Sequence, residues 1–221
     1  MNTSGSLKQD KHLLVFSALL ICLYSVGIAG HIVPATRQLM TGLTPWFLFT
    51  TGALAFYLAI PESRKKTFII WAALSFLVNF GLEYLGVATG AVFGSYVYGP
   101  VLGTHFFGVP PVIGFNWVLV ILAFIDLAVR LPRGRIIGPV IAACAATGFD
   151  WIMEPAAIGL NYWTWAQGDI PLQNYLAWFL IALAASCAYS ALNLRSRRPV
   201  ALVLALIQVV FFLVLRLALF R

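Results

Sequence analysis

The chain has 221 residues, 62% of them hydrophobic and only 10% charged, with a mean hydropathy of +0.93. A soluble domain carries about 25% charged residues, so this chain lacks the charge to coat a water-facing surface and takes the bilayer as its solvent. Its formal net charge of +7 does not indicate nucleic acid, because the basic residues fall in short runs between apolar stretches, as cytoplasmic loops do.

Seven apolar segments follow in chain order, at roughly 13–33, 45–60, 67–86, 111–130, 136–155, 173–194 and 199–220. The length suits a single membrane domain over 1–221 with no separate soluble part. Lys8 and Lys11 precede the first segment, which at about 20 residues is long enough to span and reads as a membrane helix rather than a cleaved signal peptide. The second segment is the shortest. Pro34, Pro45, Pro61, Pro132 and Pro199 lie at or near segment ends, where proline punctuates helices. Arg64, Lys65 and Lys66 separate segments two and three. Arg130, Arg133 and Arg135 separate four and five, and Arg195, Arg197 and Arg198 separate six and seven. With seven spans these loops share a side with the N-terminus, leaving Arg37, Arg216 and Arg221 opposite. The positive-inside rule then predicts a multi-pass cell-membrane protein with its N-terminus cytoplasmic and its C-terminus outside. Cys22, Cys144 and Cys187 lie in apolar stretches without metal-ligand spacing and read as small buried side chains.

Between segments three and four, residues 87–110 are apolar and aromatic, free of Lys, Arg, Asp and Glu, and rich in Gly, with Pro100 and Pro110. That content disfavours a regular helix. A re-entrant or interfacial segment buried against the bundle is one reading. A Gly-packed helix pair is the other. The fold class expected is all-α: a polytopic bundle of about seven transmembrane helices with this inserted segment.

Ionisable residues inside membrane spans are costly and mark candidate sites. Glu83 lies about 22 Å along segment three from Phe68, and Asp150 about 21 Å along segment five from Ile136, at 1.5 Å per residue. Both segments run outward. Glu154 shares the face of Asp150 one turn on. Asn79 is one turn below Glu83, and Asn116 sits early in segment four. These groups are expected in one outer layer, with His105 beside it. Asp126 lies near the inner end with Arg130 at i+4, and reads as an interfacial ion pair. Arg216 reads as a snorkelling or interface residue. Like charges in a low-dielectric layer cannot all ionise, so at least one carboxyl is expected to keep its proton. A donor beside an acceptor is what acid–base chemistry requires. A structural polar network joining helices three and five would use the same residues.

Aromatic residues gather at this level: Tyr84, Phe93, Tyr96, Tyr98, Phe106, Phe107, Trp117, Trp151, Tyr162, Trp163 and Trp165. Many suit an interfacial belt. Ring faces also stabilise cations, so an acid with aromatic neighbours could protonate an alkene and hold the carbocation. The lysines lie outside the spans, which excludes a retinal Schiff base. HExxH, Walker A and GxGxxG motifs are absent. No multi-histidine iron site or clear inverted repeat is present.

GLEYLGVATGAVFGSYVYGPVLGTHFFGVPPVIGFNW, from Gly81 to Trp117, and FDWIMEPAAIGLNYWTWAQGDIPLQNYLAWF, from Phe149 to Phe179, resemble the carotenoid 1,2-hydratases of the CruF type. The likeness rests on the Glu83–Gly90 core, the run Phe93–Tyr98, the Gly108–Pro110 triplet and a carboxylate–x3–carboxylate–Pro motif. That motif ends in Asp-Pro in the family and in Glu154–Pro155 here, which keeps the carboxyl and lengthens its reach. The resemblance implies hydration of the terminal C1=C2 bond of an acyclic carotenoid, lycopene-like or a C50 precursor, with water as co-substrate and no metal or other cofactor. Asp150, Glu83 and Glu154 are the catalytic candidates. Asp150 is favoured as the acid because Phe149 and Trp151 flank it with apolar surface. Asn79, Tyr96, Tyr98, His105, Asn116, Trp117, Trp151 and Trp163 are the substrate-binding candidates. A carotenoid cyclase or isomerase would use the same acid without water. A small transporter or a scaffold subunit would need no catalytic acid.

Overall fold

Residues 3–131 and 137–219 are described by a computed structural model, with side chains from residue 11 onward. Among them lie seven helices: α1 (Thr3–Ile32), α2 (Pro34–Ala59), α3 (Lys65–Thr89), α4 (Pro111–Ala128), α5 (Ile137–Gly159), α6 (Leu172–Ala191) and α7 (Val200–Leu219). Pro132, Arg133, Arg135 and Arg221 lie outside the described residues, as does the side chain of Lys8. Six helices are long and apolar enough to cross a membrane. The sequence reading counts α5, which carries Asp150 and Glu154, as a seventh; it is not one of these six.

α2 also differs from expectation. It begins at Pro34, in the first helical turn where a missing N–H costs nothing, and runs through Pro45 without ending there. Its 26 residues make it longer than the segment read from hydropathy, which misses the polar turn from Thr36 to Gln38.

α4 threads the centre, packing against α2, α3, α5, α6 and α7, and every residue from Trp117 to Asp126 is buried. At one end of the bundle the basic stretches meet. Arg64 donates to the Leu192 carbonyl at 2.8 Å, the Arg197 amide donates to the Ala59 carbonyl at 2.8 Å, and the Arg197 guanidinium pairs with Glu62 at 2.9 Å. Asp126 sits at this end, but the expected ion pair is replaced. Arg130 donates to the Asp126 main-chain carbonyl, and the Asp126 carboxyl receives the Ser196 hydroxyl. Arg216 lies over the ring of Trp151 at 5.3 Å.

The glycine-rich segment is neither a helix nor a helix pair. Gly90, at φ 68°, ends α3 in the left-handed cap that glycine adopts without strain. The chain then forms β1 (Tyr96–Tyr98) and a single 3-10 turn, Pro100–Leu102. β1 pairs antiparallel with β2 (Trp163–Trp165), in register Tyr96 with Trp165, Val97 with Thr164 and Tyr98 with Trp163. The all-helical bundle therefore carries a two-stranded ribbon that its sequence reading lacks.

Candidate active site

Side chains alternate across a strand. In the ribbon, Val97 and Thr164 face outward, while Tyr96, Tyr98, Trp163 and Trp165 turn inward together. Their polar tips meet carboxyls rising from two helices. Tyr96 and Tyr98 both donate to Glu83 Oε2, the latter at 2.7 Å. Trp163 and Trp165 donate their indole N–H groups to Glu154 Oε2 at 2.9 and 3.2 Å. Asn174, in the first turn of α6, donates to Asp150 Oδ2 at 2.8 Å and reaches Glu154 Oε1 at 3.5 Å. All three acids are at most 3% exposed. The ribbon thus satisfies groups that would otherwise be buried without partners.

Glu83, Asp150 and Glu154 line one cavity of about 30 Å³, together with Asn116, Asn174 and aromatic walls. A water needs roughly 10–15 Å³ of such space, so the cavity suits about two. Trp117 stacks on Trp178 with ring centroids 3.5 Å apart, and Phe93 covers the other face of Trp178 at 4.8 Å. Tyr96 and Tyr98 lie in the ribbon, where burial, and then the Glu83 carboxyl, push both phenols above their usual range. They therefore remain O–H donors.

Of the binding candidates, Tyr96, Tyr98, Asn116, Trp117 and Trp163 line the cavity. Asn79 does not. It is buried a turn below Glu83, and its Nδ2 has no partner among the described residues. His105 stands beyond Tyr98, with ring centroids 6.2 Å apart, and is also absent from the cavity wall. Trp151 does not line the cavity either: it is 57% exposed on the outer face of α5, because a residue adjacent to Asp150 on a helix points about 100° away from it. Sequence reasoning missed Asn174 and Trp178. The polar pair Gln173–Asn174 opening a mainly apolar helix was the available signal for the first. Nothing distinguished Trp178 from an interfacial tryptophan.

Fold and site together define a membrane helical bundle that buries carboxyl groups against aromatic rings. The chain belongs to the family described as "Carotenoid biosynthesis protein", whose profile matches residues 42–221. It is also similar to a bisanhydrobacterioruberin hydratase of Haloarcula japonica, 28% identical over 115 residues, covering 47% of this chain and 38% of the relative. The match therefore spans well under half of that protein's length. No solved structure matches the chain.

Proposed function

We propose that this protein is a carotenoid 1,2-hydratase that adds water to the terminal double bond of an acyclic carotenoid. The observation carrying this reading is the convergence of three carboxyls on an aromatic-walled cavity with room for water. Glu83 and Glu154 each receive at least two donors from the ribbon, as befits proton acceptors. Asp150 receives its N–H from Asn174 and is the acid.

In the reaction, the Asp150 proton forms the new C–H bond at C2 and leaves a tertiary cation at C1. Ring faces of Trp163, Trp165 and Trp117 stabilise that cation. A water oriented by Glu83 or Glu154 attacks C1 and loses a proton to the carboxylate, and that proton returns to Asp150. One water is consumed and nothing is oxidised or reduced. The cavity is smaller than an isoprenoid end, so the ribbon or Trp178 must give way as the polyene arrives laterally from lipid. Room for water favours hydration over cyclisation or isomerisation. The protein lies in the cell membrane with its basic end cytoplasmic and the carboxyl site in the outer half, N-terminus in and C-terminus out.

Expression in a lycopene-accumulating host, followed by mass analysis of the pigments, tests the reading. Hydration adds one water per reacted end. Asp150→Asn and Glu83→Gln should each lower product roughly 10²- to 10⁴-fold, the usual contribution of acid–base groups, with inserted protein at parental levels. Product of unchanged mass would point to a cyclase or isomerase, and undiminished hydration in both variants would end the acid–base mechanism.

A further inference from the structure

A second cavity, of about 210 Å³, lies between α1, α2 and α7. Tyr162 lines it while the adjacent Trp163 lines the carboxyl cavity, so neighbouring residues form the wall between the two. Its surface is hydrocarbon and ring: Met40, Phe47, Phe211 and Phe212. The Tyr24 hydroxyl is already engaged by Gln208, at 3.0 Å. Leu23, Val26 and Leu43 form a rim that is 37%, 59% and 48% exposed, so the mouth opens on the apolar outer surface between α1 and α2.

One side chain of this lining, His31, carries a ring nitrogen that is unaccounted for. His31 is only 4% exposed, and its Nδ1 lies 2.7 Å from the Gly27 carbonyl. A carbonyl oxygen accepts and cannot donate, so Nδ1 carries the hydrogen. In the neutral ring Nε2 is then an acceptor. Nε2 is buried and has no partner among the described residues. A buried acceptor left unpaired is costly and calls for an explanation.

We propose that this cavity binds the hydroxylated end of an isoprenoid chain, admitted from lipid between α1 and α2, with the hydroxyl donating to His31 Nε2. Pockets that enclose drug-sized molecules measure about 300–1,000 Å³. A space of about 210 Å³ accommodates an end group and leaves the rest of a long chain in the bilayer. That the natural ligand is the tertiary alcohol made at the carboxyl site rests on the hydratase reading. The selectivity for an alcohol does not.

The test is competition binding to the full chain in nanodiscs, using radiolabelled nerolidol, a branched tertiary alcohol, as probe. Unlabelled farnesene has the same chain length without the hydroxyl, and pentadecanol has the hydroxyl on a straight chain. Nerolidol should compete roughly tenfold better than farnesene, as expected for one well-placed hydrogen bond. His31→Phe should erase that preference while retaining farnesene affinity, and His31→Gln, which keeps an acceptor, should restore part of it. Leu43→Trp, at the mouth, should weaken both ligands. Equal competition by farnesene in the parent, a preference that survives His31→Phe, or pentadecanol competing as well as nerolidol would overturn the proposal. Binding is read without turnover, so selective binding by a protein that hydrates nothing would sink the enzymatic reading and leave this one standing.

Discussion

Two phenols share a single oxygen of Glu83, so each hydroxyl bears on both the stability and the reactivity of that group. Removing a donor to a buried carboxylate costs about 1.5–3 kcal/mol. Tyr96→Phe should therefore lower the thermal midpoint in detergent and reduce hydration at least several-fold, and an unchanged midpoint would show that the phenol contributes nothing. The same pair gives a pH dependence. An unfolded tyrosine ionises near about 10, and both phenols are held above that value in the folded protein by burial and by Glu83. Above about pH 10 the unfolded chain releases protons that the folded one retains, so stability is intact below that point and declines as pH rises through it. Unfolding followed from about pH 8 to about pH 11 should show this decline, shallower in Tyr98→Phe. The acids themselves were legible because a carboxyl in an apolar span has few innocent explanations. Their donors were less so. Trp151 looked equivalent to Trp163 from composition, but helix geometry puts Trp151 outside, while strand alternation in the ribbon puts Trp163 on the cavity wall.

The ribbon is the element that hydropathy conceals. YVY and WTW do show alternation, but three residues are too few to separate a strand from an aromatic belt, and all of α4 and α5 lies between them in the chain. Glycine fixes how closely the two arms approach. A Cβ on Gly99 would stand 2.0 Å from the Asn161 main-chain oxygen, and backbone cannot swing aside as a side-chain tip can. Gly99→Ala should therefore displace the ribbon, withdrawing four donors from Glu83 and Glu154 and abolishing activity while far-ultraviolet circular dichroism keeps its helical form. Gly81, in the interior of α3, has nothing within 4 Å of its added Cβ. Gly81→Ala should leave activity intact and stabilise the helix by about 0.5–1 kcal/mol. Equal behaviour of the two variants would mean that the ribbon is not what completes the site.

At the scale of the whole molecule, spans and basic loops were readable because lipid rewards apolar length and the cytoplasmic side collects Lys and Arg. Which helix lies at the centre was not. When the surroundings are as apolar as the core, both faces of a helix carry the same residues, so α4 shows no stripe that marks its burial. The contacts supply what the pattern lacks. Arg64, Arg197 and Ser196 are joined to Leu192, Ala59 and Asp126 at one end, while β1 and β2 close over the acids further along α3 and α5. Charge and chemistry are thus segregated along the bundle, and the positive-inside rule predicts a side for each. Alkaline phosphatase folds only where disulfides form, outside the cytoplasm. Fused after Arg221 it should be active, and inserted beside Glu62, in the basic loop between α2 and α3, it should be inactive. The reverse pattern would turn the carboxyl site toward the cytoplasm, and equal activity at both positions would require an even number of crossings after Glu62, with one of the five helices α3 to α7 failing to span.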